Sequence, residues 1–139
     1  MKYGSIIIEK KEYVYLKRII NISGYAKDFD TQQSLQKFSE ELQNAQIVDE
    51  EDMPKNIIRF NSKVTVASEK GWERTLQIVI PSERDMTQNK ISFLTPMGSA
   101  LFGYSEGDTV TWNFPTGQQQ LKIVAVSQET NTESTKIPI

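Results

Sequence analysis

The sequence predicts an α+β fold: a short N-terminal antiparallel helical hairpin, a coiled coil, followed by an antiparallel sheet domain carrying one short helix. Three observations predict it. Apolar residues recur at steps of three and four as far as Ala45, they alternate with period two beyond Pro54, and a capped helix signal stands alone at residues 95–103.

In the first helix Tyr13, Leu16 and Ile20 form one stripe, and in the second Leu35, Phe38, Leu42 and Ala45 form another. Lys10, Lys11, Lys17 and Arg18 on one helix, and Gln36, Lys37, Glu40 and Glu41 on the other, fill the water-facing sides. Between them, Gly24 suits a helix C-terminus, and Asp30 with Gln33 has the arrangement of a capping box, so Asp30 is expected as the N-cap of the second helix. Helices of about 14 residues make an arm of about 20 Å.

After Ala45 the run Asp49-Glu50-Glu51-Asp52 and Pro54 end the helix and read as a solvated connector. Ile58, Phe60, Val64 and Val66 alternate with Arg59, Asn61, Lys63 and Thr65, the pattern of a strand with one buried face. A second strand places Leu76, Ile78 and Ile80 on one face, and Lys70-Gly71 supplies the turn between the two.

Further on, Thr95 is placed to cap the short helix, Pro96 fits its first position, Met97, Ala100 and Leu101 share a face, and Gly103 closes it. Two strands follow around residues 110–114 and 121–126, joined through Pro115-Thr116-Gly117. The last is apolar on both faces and is expected at the centre of the sheet. The predicted organisation is a helical arm over residues 1–48, an acidic linker over 49–56, a sheet domain over 57–127 and a polar tail over 128–139.

Composition narrows the function. With 139 residues, 37% hydrophobic and 24% charged, the chain reads as a globular protein. No apolar run approaches the roughly 20 residues of a membrane helix, and residues 1–12 lack the long apolar region of a signal peptide, so a cytoplasmic location is expected. A net charge of -2 argues against binding that neutralises many phosphates. The absence of His and Cys excludes imidazole acid–base chemistry, a thiol nucleophile and an ordinary His/Cys zinc site. No cofactor or resident metal is expected.

Residues 94–108, Leu-Thr-Pro-Met-Gly-Ser-Ala-Leu-Phe-Gly-Tyr-Ser-Glu-Gly-Asp, resemble the C-terminal signature of the Gre transcript cleavage factors, in which Ser/Thr-Pro opens a helix ending in Ala-Leu-x-Gly and Gly-Asp follows. The resemblance continues through residues 112–126. Asp52-Met53-Pro54, Asn61-Ser62 and Ile80-Pro81 are similar to the short-armed branch that includes the regulator of nucleoside diphosphate kinase.

The resemblance implies an FKBP-like sheet domain that docks at the rim of the RNA polymerase secondary channel, with a helical hairpin pointing into it. Carried over, the docking loop is Thr95, Pro96, Met97 and Gly98, residues that fit a helix cap equally well. In cleavage-competent relatives two acidic residues at the arm tip help hold a magnesium ion in the polymerase active site. Here the candidates are Asp28 and Asp30, separated by one residue where the relatives use an Asp and a Glu separated by two.

The expected protein is therefore not an enzyme but a monomeric polymerase-binding regulator that competes with longer Gre factors without stimulating transcript cleavage. Three alternatives accompany this reading. A cleavage factor with a shortened acidic-tipped arm is one. Another is a peptidyl-prolyl isomerase using Trp72, Phe93, Phe102, Tyr104, Trp112 and Phe114 as a proline pocket. The third is an arm that binds a second copy through Tyr13, Tyr15 and Phe29.

Overall fold

The computed structural model describes residues 3–23, 29–114 and 117–128. Strand β1 (Ile7–Glu9) runs straight into helix α1 (Lys10–Ser23); α2 (Phe29–Gln43) returns to β2 (Gln46–Val48), which pairs with β1 in parallel, Ile8 opposite Ile47. This small parallel pair at the root of the arm was not legible in the sequence. Its three β1 residues are all buried, so period two is invisible in them.

A five-stranded sheet follows, built from β3 (Lys63–Ser68), β4 (Glu73–Val79), β5 (Lys90–Ser92), β6 (Thr109–Phe114) and β7 (Gly117–Ser127), in the order β5-β4-β3-β7-β6. The expected antiparallel sheet is in fact mixed, because β5 lies parallel to β4. As expected, β7 is internal, flanked by β3 and β6. Only one of its faces is covered, however: Leu121 and Ile123 are buried while Lys122 and Val124 are exposed. Gly71, at φ +98, makes the β3–β4 turn, its amide bonded to the Ser68 carbonyl.

The first sheet strand begins later than the alternation suggests. Ile58 and Phe60 are buried ahead of it, in a turn closed by the Ser62 amide on the Arg59 carbonyl at 3.1 Å. Asn61 occupies that turn at φ +71, a left-handed conformation that Asn tolerates better than most side chains.

Helix α3 (Pro96–Leu101) covers the inner face of the sheet. A single core runs from the arm into the sheet domain: Leu16, Ile19, Leu35, Phe38 and Leu42 of the arm join Phe60, Phe93, Leu101, Phe102, Leu121 and Ile123 in one cluster. Phe38 meets Phe93 at 4.9 Å and Phe60 meets Phe102 at 4.8 Å between ring centroids. Tyr15, expected to stand off the main stripe as a contact residue, packs edge-on against Phe60 at 5.5 Å.

Helices α1 and α2 share a groove of about 80 Å³ lined by Tyr13, Lys17 and Ile20 from one and Ser39 and Leu42 from the other. No helix among the described residues is long and apolar enough to cross a membrane.

Candidate functional site

The loop before α3 is where chain-reversal chemistry concentrates. Thr95 adopts extended backbone and its Oγ1 accepts from the Gly98 amide at 3.1 Å, while donating to the Ser92 carbonyl at 2.8 Å. Pro96 takes the first helical position, where no amide donor is missed. Ser92 Oγ also accepts from the Leu94 amide at 3.0 Å. These side-chain hydrogen bonds tie residues 92–98 together.

Its four residues predicted as a docking surface divide by exposure. Thr95 and Pro96 are half-exposed, whereas Met97 and Gly98 are buried. A methyl group on Gly98 would stand 2.4 Å from the Ser92 carbonyl oxygen, so glycine is needed there for packing. What the loop presents outward is the Thr95–Pro96 edge.

Asp28 lies outside the described residues, and Asp30 falls in the first turn of α2, which starts at Phe29 rather than after an Asp30 cap. Among the described residues no group of three His, Cys, Asp or Glu is disposed to hold a metal ion.

The packing does not support the proline-pocket alternative. Phe93 and Phe102 are fully buried, meet each other at 5.4 Å and are closed over by Phe38 and Phe60, so the rings fill the core instead of lining a cleft. Trp72, Tyr104 and Trp112 are half-buried against the same core. The placement of the Phe114 side chain lies outside what is described.

Sequence reasoning missed a cluster of charges at the root of the arm. Glu9 and Glu12, for which the sequence suggested no role, are buried. Glu9 accepts from the Lys11 and Glu12 amides at 2.8 and 3.1 Å, capping α1 with a carboxylate. Arg59 donates from Nε to Glu12 at 2.9 Å and, through both terminal nitrogens, to Glu50 at 2.6 and 2.8 Å. The acidic connector is thus not wholly solvated: Glu50, in a 3-10 turn (Glu50–Asp52), is a structural partner of Arg59.

Burial pushes the Glu12 carboxyl up to about 7, against the opposing pull of the Arg59 guanidinium. Arg59 itself sits where burial disfavours its charge, yet its bonds to Glu50 and Glu12 hold it above its ordinary value. The bond from Arg59 keeps the Glu50 carboxyl below the usual range. At the other helix, the Tyr104 hydroxyl donates to Glu41 at 2.8 Å; burial raises both groups, and the carboxylate raises the phenol further. The only signal of this cluster in the sequence was Arg59 within an otherwise alternating run, which is as common on open strands.

Residues 53–128, more than half of the chain, match the family model described as transcription elongation factor, GreA/GreB, C-term. The chain is 37% identical over 86 residues to the transcription elongation factor GreA of Clostridium acetobutylicum, covering 61% of this chain and 54% of that protein. It is also 37% identical over 94 residues to GreA of Thioalkalivibrio sulfidiphilus, covering 66% of this chain and 60% of that protein. The chain therefore matches little more than half the length of these curated relatives. Among solved structures, a prokaryotic transcription elongation factor GreA/GreB from Nitrosomonas europaea superposes with a TM-score of 0.71 at 29% identity, over 89% of this chain and 98% of that chain. With the capped Thr95-Pro96 loop, the mixed sheet and these matches in agreement, the chain belongs to the GreA/GreB transcription elongation factor family, through the C-terminal domain of that family.

Proposed function

We propose that this chain binds RNA polymerase at the rim of its secondary channel, docking through the Thr95–Pro96 edge, and competes there with longer Gre factors without stimulating transcript cleavage. It performs no chemistry of its own in this reading; occupancy is its mechanism. Family membership supports the choice of partner.

The observation that carries the non-cleaving part is the length of the arm. Helices of 14 and 15 residues rise about 21 Å at 1.5 Å per residue. Part of that length is spent in the core, since Phe38, nine residues into α2, already packs on Phe93. About 14 Å of α2 remains beyond Phe38. A carboxylate must come within about 2.1 Å of a magnesium ion to ligate it. A tip that stops well short contributes nothing to a metal-activated water.

The experiment adds the protein to backtracked elongation complexes with and without a cleavage-competent Gre factor. The expected result is no cleavage from this protein alone and loss of the other factor's cleavage as its concentration rises, unchanged by Asp28→Asn and Asp30→Asn. Cleavage by this protein alone that both substitutions abolish establishes the shortened cleavage factor instead. Failure to retain core polymerase in a pull-down at micromolar concentration removes the docking reading altogether.

A further inference from the structure

The arm is fastened to the sheet domain at both of its roots, by different chemistry. At the root of α1, the Glu12 carboxylate accepts from the Phe60 amide at 3.3 Å through one oxygen and from Arg59 Nε at 2.9 Å through the other. Arg59 then reaches Glu50 through its two remaining nitrogens. At the root of α2, Tyr104 donates to Glu41 at 2.8 Å, with Phe38 seated on Phe93 one turn away.

Arg59 is itself held from behind. Ser62 Oγ accepts from the Arg59 amide at 2.8 Å and donates to Gln128 Oε1 at 2.7 Å, while Gln128 Nε2 donates to the Ile57 carbonyl at 2.6 Å. The guanidinium therefore leaves a fixed turn and points at the arm. Ion pairs of this kind are poor sources of stability, because withdrawing carboxylates such as Glu9 and Glu12 from water is costly and apolar residues fill the same space at less cost. What a planar fork holding two separate acidic partners does supply is direction.

We propose that Arg59 and Tyr104 are positioning residues that fix the angle of the helical arm relative to the Thr95–Pro96 edge in the free protein. Two clamps, one per helix, remove both the tilt and the rotation that a single clamp leaves. The functional consequence rests on the polymerase-docking reading: the arm is already aimed when the domain docks, and no ordering cost is met on binding. The geometry itself stands without that reading.

The absence of cysteine makes the test direct. Spin labels on Arg18→Cys in α1 and Lys122→Cys in β7, both exposed positions, report the arm-to-sheet distance in the free full-length protein. A single narrow distance distribution is expected, and Arg59→Met combined with Tyr104→Phe is expected to broaden it while thermal unfolding remains cooperative. Arg59→Lys, which keeps the charge but not the fork, gives an intermediate width. A loss of stability alone leaves the distance in the folded molecules unchanged, so width separates positioning from mere support. A broad distribution in the unsubstituted arm, or a narrow one in the folded double variant, overturns the proposal. Should Arg59→Met fail to fold, Tyr104→Phe alone removes one hydroxyl, and a distribution it leaves unaltered likewise overturns it. Where the variant arm is correctly aimed a tenth of the time, binding to core polymerase weakens about tenfold. Equal affinity despite a broadened arm overturns the functional consequence. An unsubstituted protein that does not bind polymerase refutes the docking reading and leaves the distance result intact.

Discussion

Gly98 lies within α3 and Gly103 just beyond it, and neither has room for a methyl group. At Gly103, φ is +85 and a Cβ would lie 2.8 Å from Ile6 Cβ, so the residue serves both as the helix terminator that its position in the sequence suggests and as the seat of the N-terminal strand. Its carbonyl accepts from the Ile7 amide at 3.2 Å. Gly98→Ala and Gly103→Ala should each cost about 2 kcal/mol or more, through overpacking and, at Gly103, backbone strain. Chemical denaturation of the two variants measures it.

Glu12 gives a second expectation at this scale. Its folded pKa of about 7 lies above the ordinary 4.5, so the folded state holds the proton more tightly than the unfolded chain. The contribution is fully present below pH 4.5 and is lost as pH rises towards 7. Relative to Glu12→Gln, the protein should therefore lose of the order of 1–3 kcal/mol across that window, read from urea midpoints at several pH values. A difference that grows with pH has the opposite sign and refutes this assignment.

At the scale of elements, the strongest signals were those written in consecutive residues. The α3 cap, the Gly71 turn and the two arm helices are set by neighbours within four positions, and each lies where its pattern puts it except the start of α2, which falls at Phe29 ahead of the expected Asp30 cap. The elements that went unread answer to distant partners. β1 is a strand because β2 lies beside it, some forty residues later in the chain. β5 lies parallel to β4 because the segment between them, residues 80–89, is spent in two 3-10 turns rather than a hairpin. The first of these turns begins at Pro81, a residue singled out by resemblance, whose missing amide suits an N-terminal position.

For the whole molecule, the decisive fact is that arm and sheet domain share one core. Phe38 belongs by sequence to the arm, yet its contacts are Phe93 and Phe102 of the sheet domain. Phe38→Ala should destabilise by about 3–5 kcal/mol. Because the core is continuous, an arm probe and a sheet probe should shift together in thermal melts; an arm that melts while the sheet persists contradicts the shared core. The expected boundary at residue 48 is then a boundary in pattern, not in packing.

The sequence by itself determined a mixed helix-and-sheet fold, the two N-terminal helices and the α3 loop with Thr95 to Gly98, because caps, turns and periodicity act over a few residues, while the family was carried by the resemblance of residues 94–108. Only the tertiary structure decided which charges are structural. Arg59 read as the outward face of a strand and Glu50 as part of a solvated connector, until folding brought Glu9, Glu12 and Glu50 each within 4 Å of Arg59. An ion pair depends on where side chains end in space, and no local pattern in a chain records that.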